Sequence, residues 1–208
     1  YSVSPIKAQK LSATDNWNLQ LVGAERAWQY SRGAGARVAI IDTGVDFNHP
    51  ELSGRFSDGL GVDLVNGAKP ADRNGHGTHV AGTVAGASTG IAPEVTLYAV
   101  RVLDENGMGD EATVLQGIEW SIQKEVNVLN LSLGSSRPSG AEKKLVALAA
   151  NKGIAVVCAA GNDGDASYNY PASYPGAISI AAVDINKRHA SFSNRNDQVD
   201  LSAPGVSI

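Results

Sequence analysis

Arg37-Val38-Ala39-Ile40-Ile41-Asp42-Thr43-Gly44 is the stretch whose reading decides the fold. Val38 to Ile41 is a short apolar run, and Asp-Thr-Gly closes it. A continuous run of this length reads as a strand covered on both faces, with Thr43-Gly44 as the turn that ends it. Runs of the same kind recur at 96–102, 126–133, 154–159, 177–183 and 199–202. Helix signals fall between them. Asp110 is placed to cap a helix that carries Val114, Leu115, Ile118 and Ile122 on one face. Ser139 with Glu142 spells a capping box, followed by Leu145, Val146 and Ala149, and Gly153 stands where a helix C-terminal glycine belongs. Strand and helix alternate, which predicts an α/β fold: a mostly parallel central sheet with helices on both faces. In such a sheet ligands meet residues at the carboxyl ends of the strands. We expect a single domain over 1–208, a short helix at 22–28, and a surface arm over the polar residues 1–18.

Composition narrows the classes. The chain has 208 residues, 43% apolar and 18% charged, long enough for a core of its own. Net charge is −4, so no basic face for nucleic acid is expected. Cys158 is the single cysteine, so an internal disulfide is excluded. The apolar runs are too short to cross a bilayer. The chain begins at Tyr1 with no apolar leader, which suits a processed or trimmed chain.

Three patterns carry candidate chemistry: Asp42-Thr43-Gly44, Asn74-Gly75-His76-Gly77-Thr78-His79, and Ala160-Gly161-Asn162-Asp163. An aspartate closing a strand is, taken singly, most often a turn residue. Asp-Thr-Gly also appears in aspartic proteases, but those need a second such loop. His76 between two glycines leaves an imidazole open to a cleft, suited to general-base work. His76 and His79 lack an obvious third metal ligand, so zinc ranks well below that. Asn162 offers an amide donor for an oxyanion, against the commoner reading of a turn asparagine. Gly86-Ala87-Ser88-Thr89-Gly90 matches a nucleophile elbow only by spelling, because a helix pattern precedes Ser88 where a strand is required.

Together these segments resemble the subtilisin-like serine proteases, in the family's order and over nearly the whole chain from Trp17. Val38 to Asp46 is similar to the family's catalytic aspartate segment, and His49-Pro50-Glu51-Leu52 continues it. Asn74 to Gly82 is similar to the histidine segment, Asn130 to Gly134 to the substrate-binding strand, and Ala160-Gly161-Asn162 to the oxyanion segment. Ser191-Phe192-Ser193-Asn194 and Ala203-Pro204-Gly205 are further landmarks. The family's Gly-Thr-Ser nucleophile segment does not occur in these 208 residues.

The resemblance implies a secreted serine endopeptidase acting on polypeptides. Asp42 orients His76, His76 is the general base, and Asn162 donates to the oxyanion. It implies that Gly107-Met108-Gly109 and Ser132-Leu133-Gly134 are the two walls holding an extended substrate, and that Ala159-Ala160-Gly161 floors a roomy pocket. Asp163 and Glu111 add negative charge there, a weak bias toward basic side chains. The nucleophile is expected outside this chain, on a C-terminal companion. The alternative is an inactive fragment or binding module on the same fold. Calcium is the one cofactor implied. Glu51 stands at a carboxylate position of the family's tight site, but the 87–93 link is short, so that site is expected to be reduced or absent. Ala172, Tyr174, Ala177 and Asp200 form a weaker candidate set.

Overall fold

The computed structural model describes residues 1–5 and 16–208, and only the backbone at 57, 58 and 60. Its elements in order are α1 (Trp17–Val22), α2 (Ala24–Ala27), β1 (Arg37–Asp42), β2 (Phe56–Asp63), α3 (His76–Ala85), β3 (Thr96–Arg101), α4 (Glu111–Gln123), β4 (Val128–Leu131), α5 (Gly140–Asn151), β5 (Ala155–Ala159), β6 (Ala177–Val183) and β7 (Leu201–Pro204). The strands form one seven-stranded sheet ordered β2-β3-β1-β4-β5-β6-β7, and every pairing is parallel.

Strand alternation explains both covered faces. Val38 and Ile40 pack with Ala81 and Ala85 of α3 on one side. Ala39 and Ile41 pack with Val114 and Ile118 of α4 and Val146 of α5 on the other. Burying each valine or isoleucine among these contributes about 1.5–3 kcal/mol. The chain adds β2 and β3 on one side of β1, then crosses to place β4 on the other. That reversal makes the carboxyl end of β1 a topological switch point, where such sheets place their ligand crevice.

The helix expected after Asp110 is α4, and the one expected after Ser139, α5, differs in its cap. Asp110 caps α4 by accepting from the Thr113 N–H at 2.8 Å. Ser139 caps α5 by accepting from the Glu142 N–H at 3.2 Å, but the box is only half made. The Ser139 N–H donates to the Tyr174 hydroxyl instead, and Glu142 is fully buried. Gly23, in the left-handed region at φ 71°, divides the expected 22–28 helix, so that α1 ends before it and α2 follows. The sequence reading has no strand at β2, whose Gly59 and Gly61 break the apolar pattern.

The expected surface arm is described only at its two ends. Tyr1–Val3 lie in a groove, paired with backbone on both sides, and Trp17 opens α1. The arm's middle, 6–15, lies outside the described residues.

Candidate active site

Asp42 ends β1 at the switch point and is fully buried. One carboxylate oxygen accepts from the Thr43 N–H at 2.7 Å. His76 opens α3, and its Nδ1 lies 2.8 and 2.9 Å from the two Asp42 oxygens. Asp42 therefore faces an imidazole and not a second carboxylate, which removes the aspartic protease reading. An ionised Asp42 takes the Nδ1 proton's hydrogen bond and leaves the other ring nitrogen as the basic one.

Asp72 holds this pair in register, and the sequence reading did not single it out. Its carboxylate accepts from the N–H groups of Asn74, Gly75 and Thr78 at 2.9, 2.9 and 3.0 Å. It also accepts from the hydroxyls of Thr78 at 2.6 Å and Thr43 at 2.9 Å. The Thr43 hydroxyl in turn accepts from the Gly77 N–H at 3.0 Å. One carboxylate thus ties the turn after Asp42 to the first turn of α3, whose free N–H groups favour a negative partner. Burial pushes the Asp72 carboxyl up, but the bonds from Gly75, Thr78 and Asn74 outweigh it and hold it below the usual carboxylate range. The available signal was an aspartate two residues before Asn74, a turn-forming spacing.

Gly77 sets how close the pair can come. A Cβ there would meet the Gly44 carbonyl oxygen at 2.1 Å and the Asp42 side chain at 3.2 Å. Only a hydrogen lets α3 start this near β1.

The chain's own first residues lie between two of the segments expected as walls. The Ser2 N–H donates to the Gly134 carbonyl at 3.2 Å, and the Gly134 N–H returns to Ser2 at 3.3 Å. The Val3 N–H donates to the Gly107 carbonyl and the Gly109 N–H to the Tyr1 carbonyl, each at 3.1 Å. The Tyr1 amine donates to the Gly109 carbonyl at 2.9 Å. Met108 between these glycines is half exposed and also pairs with Ser2. Ser132 and Leu133 lead into Gly134 differently: the Ser132 hydroxyl accepts from Asn130 at 2.9 Å, and Leu133 is in the core. The Asn74 amide donates to the Glu105 carbonyl at 3.0 Å, linking the His76 loop to the Gly107 wall.

At the end of the strand segment, the Asn162 amide donates to the Ser4 hydroxyl at 2.9 Å. Asn162 stands on the loop after β5. Ala159 at the end of β5 accepts from the Asn169 amide at 3.0 Å, and the Ala160 N–H donates to Ile180 of β6 at 3.0 Å. Gly161, at φ 111°, turns the chain out of the sheet. Buried Asn194 fixes this loop by accepting from the Asp163 and Gly164 N–H groups at 2.7 and 3.2 Å. The sequence marks Asn194 only as part of a landmark motif and gives no signal for Asn169. The two carboxylates suggested for substrate bias have partners within the fold: Asp163 accepts from Asn194 at 3.0 Å, and Glu111 accepts from the Ser139 hydroxyl.

Other candidates lie apart from this centre. His79 points to the carbonyl of Ile208, 3.2 Å away, and lines a cavity of about 640 Å³ with Asp46, His49 and Asp72, in which neither Asp42 nor His76 takes part. Ser88 is bound to Glu51 and is no nucleophile. The Glu51 carboxylate accepts from the Ser88 N–H and hydroxyl at 2.7 and 2.9 Å and from those of Thr89 at 3.2 and 3.3 Å. Four donors from Ser88 and Thr89 already engage its two oxygens and turn the carboxylate onto the 88–89 turn, so Glu51 as held here does not fit a tight calcium site. In the second set Asp200 accepts from the Ser179 N–H at 2.8 Å and the Tyr174 carbonyl from the Ala177 N–H at 3.1 Å. Its single carboxylate, already engaged, does not fit a tight site either. Among the described residues, no group of three or more His, Cys, Asp or Glu is arranged to hold a metal.

Comparison with known families matches residues 33–207 to the Subtilase family of peptidases (Peptidase S8). The chain belongs to the subtilase family. It is 43% identical over 206 residues to a thermostable alkaline protease of Halalkalibacterium halodurans, covering 95% of this chain and 55% of that protein. It is 44% identical over 193 residues to thermitase of Thermoactinomyces vulgaris, covering 89% of this chain and 68% of the relative. Among solved structures, a cold-adapted subtilisin-like serine proteinase superposes with a TM-score of 0.80 at 37% identity, over 85% of this chain and 65% of the other. The α/β sheet with helices on both faces is thus the subtilase fold. The chain spans about half the length of several of these curated relatives, 55% of the alkaline protease and 52% of subtilisin E. Among the described residues of this subtilase, no helix is long and apolar enough to cross a membrane.

Proposed function

We propose that this subtilase is the N-terminal part of a secreted serine endopeptidase, with its nucleophilic serine supplied by a C-terminal segment or companion chain. The observation that carries the reading is the groove: an extended peptide, Tyr1–Val3, is held by backbone bonds to Gly107, Gly109 and Gly134. Those bonds reach the peptide through its backbone, as a protease of polypeptides requires. The Asp42–His76 pair lies beside it through the Asn74 link.

In this reading His76 takes the serine proton on its free ring nitrogen as the hydroxyl attacks the scissile carbonyl. Asp42 stabilises the imidazolium by its two close oxygens. The Asn162 amide stabilises the oxyanion of the tetrahedral intermediate, and His76 then returns its proton to the departing amine. Ser4, which Asn162 reaches, occupies the place of the residue before the cleaved bond. Ala159, Ala160 and Gly161 lie where that residue's side chain is received.

The test is a fluorophosphonate probe applied to the complete protein that contains this chain. Covalent labelling of a serine, lost in His76→Ala, is expected. A folded protein that takes no label, with no hydrolysis of casein, overturns the enzyme reading and leaves a peptide-binding module.

A further inference from the structure

We propose that Glu142 is a specificity-determining residue that selects a phenol at the fourth residue before the cleaved bond. This rests on the reading of the groove as a substrate cleft in which Ser4 precedes that bond, so that Tyr1 takes the fourth place.

Glu142 belongs to the first turn of α5 and is fully buried. Neither of its carboxyl oxygens has a hydrogen-bond partner of good geometry. A buried carboxyl left so is costly, and it draws attention to what faces it. Two phenols do, those of Tyr1 and Tyr174; Glu111 and the chain's amino terminus are the nearby charges. The Tyr174 hydroxyl is already committed. It accepts from the Ser139 N–H at 2.5 Å and spends its one proton on the Ser139 carbonyl at 3.0 Å. The Tyr1 hydroxyl is thus the donor left for Glu142. Tyr1 itself packs against the core cluster that holds Val146 of α5 and Tyr174, with its backbone pinned to Gly109.

A capping-box glutamate would have turned back to the Ser139 N–H at the surface. Here Tyr174 takes that donor, and the carboxyl is released inward to floor a side-chain pocket. The pocket then holds an apolar wall for an aromatic ring and one polar group at its base. Phenylalanine in the same place fills the volume but leaves the carboxyl unpaired. Sites built to bond a hydroxyl reject the analogue lacking it far more strongly than they resolve a methylene.

The experiment compares kcat/KM of the complete enzyme on two fluorogenic peptides, Tyr-Ser-Val-Ser and Phe-Ser-Val-Ser, each followed by the leaving group. Tyrosine is expected to be favoured by about tenfold or more. The ratio should fall to near one in Glu142→Leu and recover in part in Glu142→Gln, which can still bond a hydroxyl. A wild-type ratio within twofold, or a tyrosine preference that survives in Glu142→Leu, overturns the role of Glu142 and leaves the protease reading intact. If neither peptide is hydrolysed, the protease reading fails, and the pocket is judged by calorimetric binding of the two tetrapeptides. Tighter binding of the tyrosine peptide by the same margin then upholds the selection, and equal affinity overturns it.

Discussion

At the scale of the residue, the Asp42–His76 contact carries the proposed chemistry. Its two close oxygens hold one tautomer, so an isosteric Asp42→Asn keeps the packing but inverts the donor. Loss of the orienting carboxylate costs about 10⁴-fold in kcat in serine-protease triads, and the same order is expected here. Asn162→Ala removes the amide that reaches Ser4. For subtilisin, the reference case of this effect and a relative of this chain, the asparagine donor is worth about 100- to 1,000-fold in kcat. A comparable loss with KM little changed is expected, measured on a fluorogenic peptide. Glu51 makes a prediction of the opposite kind. Its oxygens are bonded to Ser88 and Thr89, so EDTA is expected to leave Tm unchanged. A fall in Tm on chelation, reversed by added calcium, would show a cation the described residues do not hold.

At the scale of the element, α3 must start within reach of β1. Gly77→Ala drives a methyl into the Gly44 carbonyl, and backbone cannot yield as a side-chain end can. Overpacking of this kind costs about 1–3 kcal/mol. The helix would have to withdraw from Asp42, so activity should fall more than stability does. Denaturant unfolding beside kcat checks this; full activity in Gly77→Ala would show that the close approach is not needed. The apolar run at 37–42 carried enough information for β1, because strand burial follows from the run itself. β2 was unreadable from its sequence, since its glycines interrupt the pattern and only pairing with β3 makes it a strand. Asp72 was missed for a related reason. Three of its partners are backbone N–H groups, which leave no mark in a list of side chains, and the Thr43 hydroxyl is brought to it only by the fold.

At the scale of the whole molecule, buried carboxyls set the response to pH. Burial pushes the Glu142 carboxyl up from its usual 4.5 to about 7. Below 4.5 both the folded and unfolded chain keep the proton, so the group is neutral to stability. Between 4.5 and 7 the unfolded chain releases it and the folded chain does not, so stability falls as pH rises and levels off above 7. The penalty approaches about 3 kcal/mol. Asp72 acts in the other direction: held below the usual range, it stabilises at neutral pH and loses that contribution as the solution becomes acid. Glu142→Gln is therefore expected to raise Tm more at pH 8 than at pH 5, about the threshold between the two regimes. Calorimetry at both pH values reads it, and an equal shift at the two would remove Glu142 as the cause.

The sequence by itself determined the α/β class, the strand and helix order beyond residue 95, and the motifs that single out Asp42, His76 and Asn162 as candidates. These rest on local runs and short motifs, whose meaning survives without knowing what they touch. Only the tertiary structure decided that Tyr1–Val3 lie in the groove, that Glu51 is spent on Ser88 and Thr89, and that Glu142 turns inward. Each depends on a partner far along the chain: Gly134 for Ser2, Ser88 for Glu51, Tyr174 and Tyr1 for the Ser139–Glu142 turn. Capping propensity is a local preference worth about 1 kcal/mol, and a competing hydroxyl brought in by the fold is enough to redirect it.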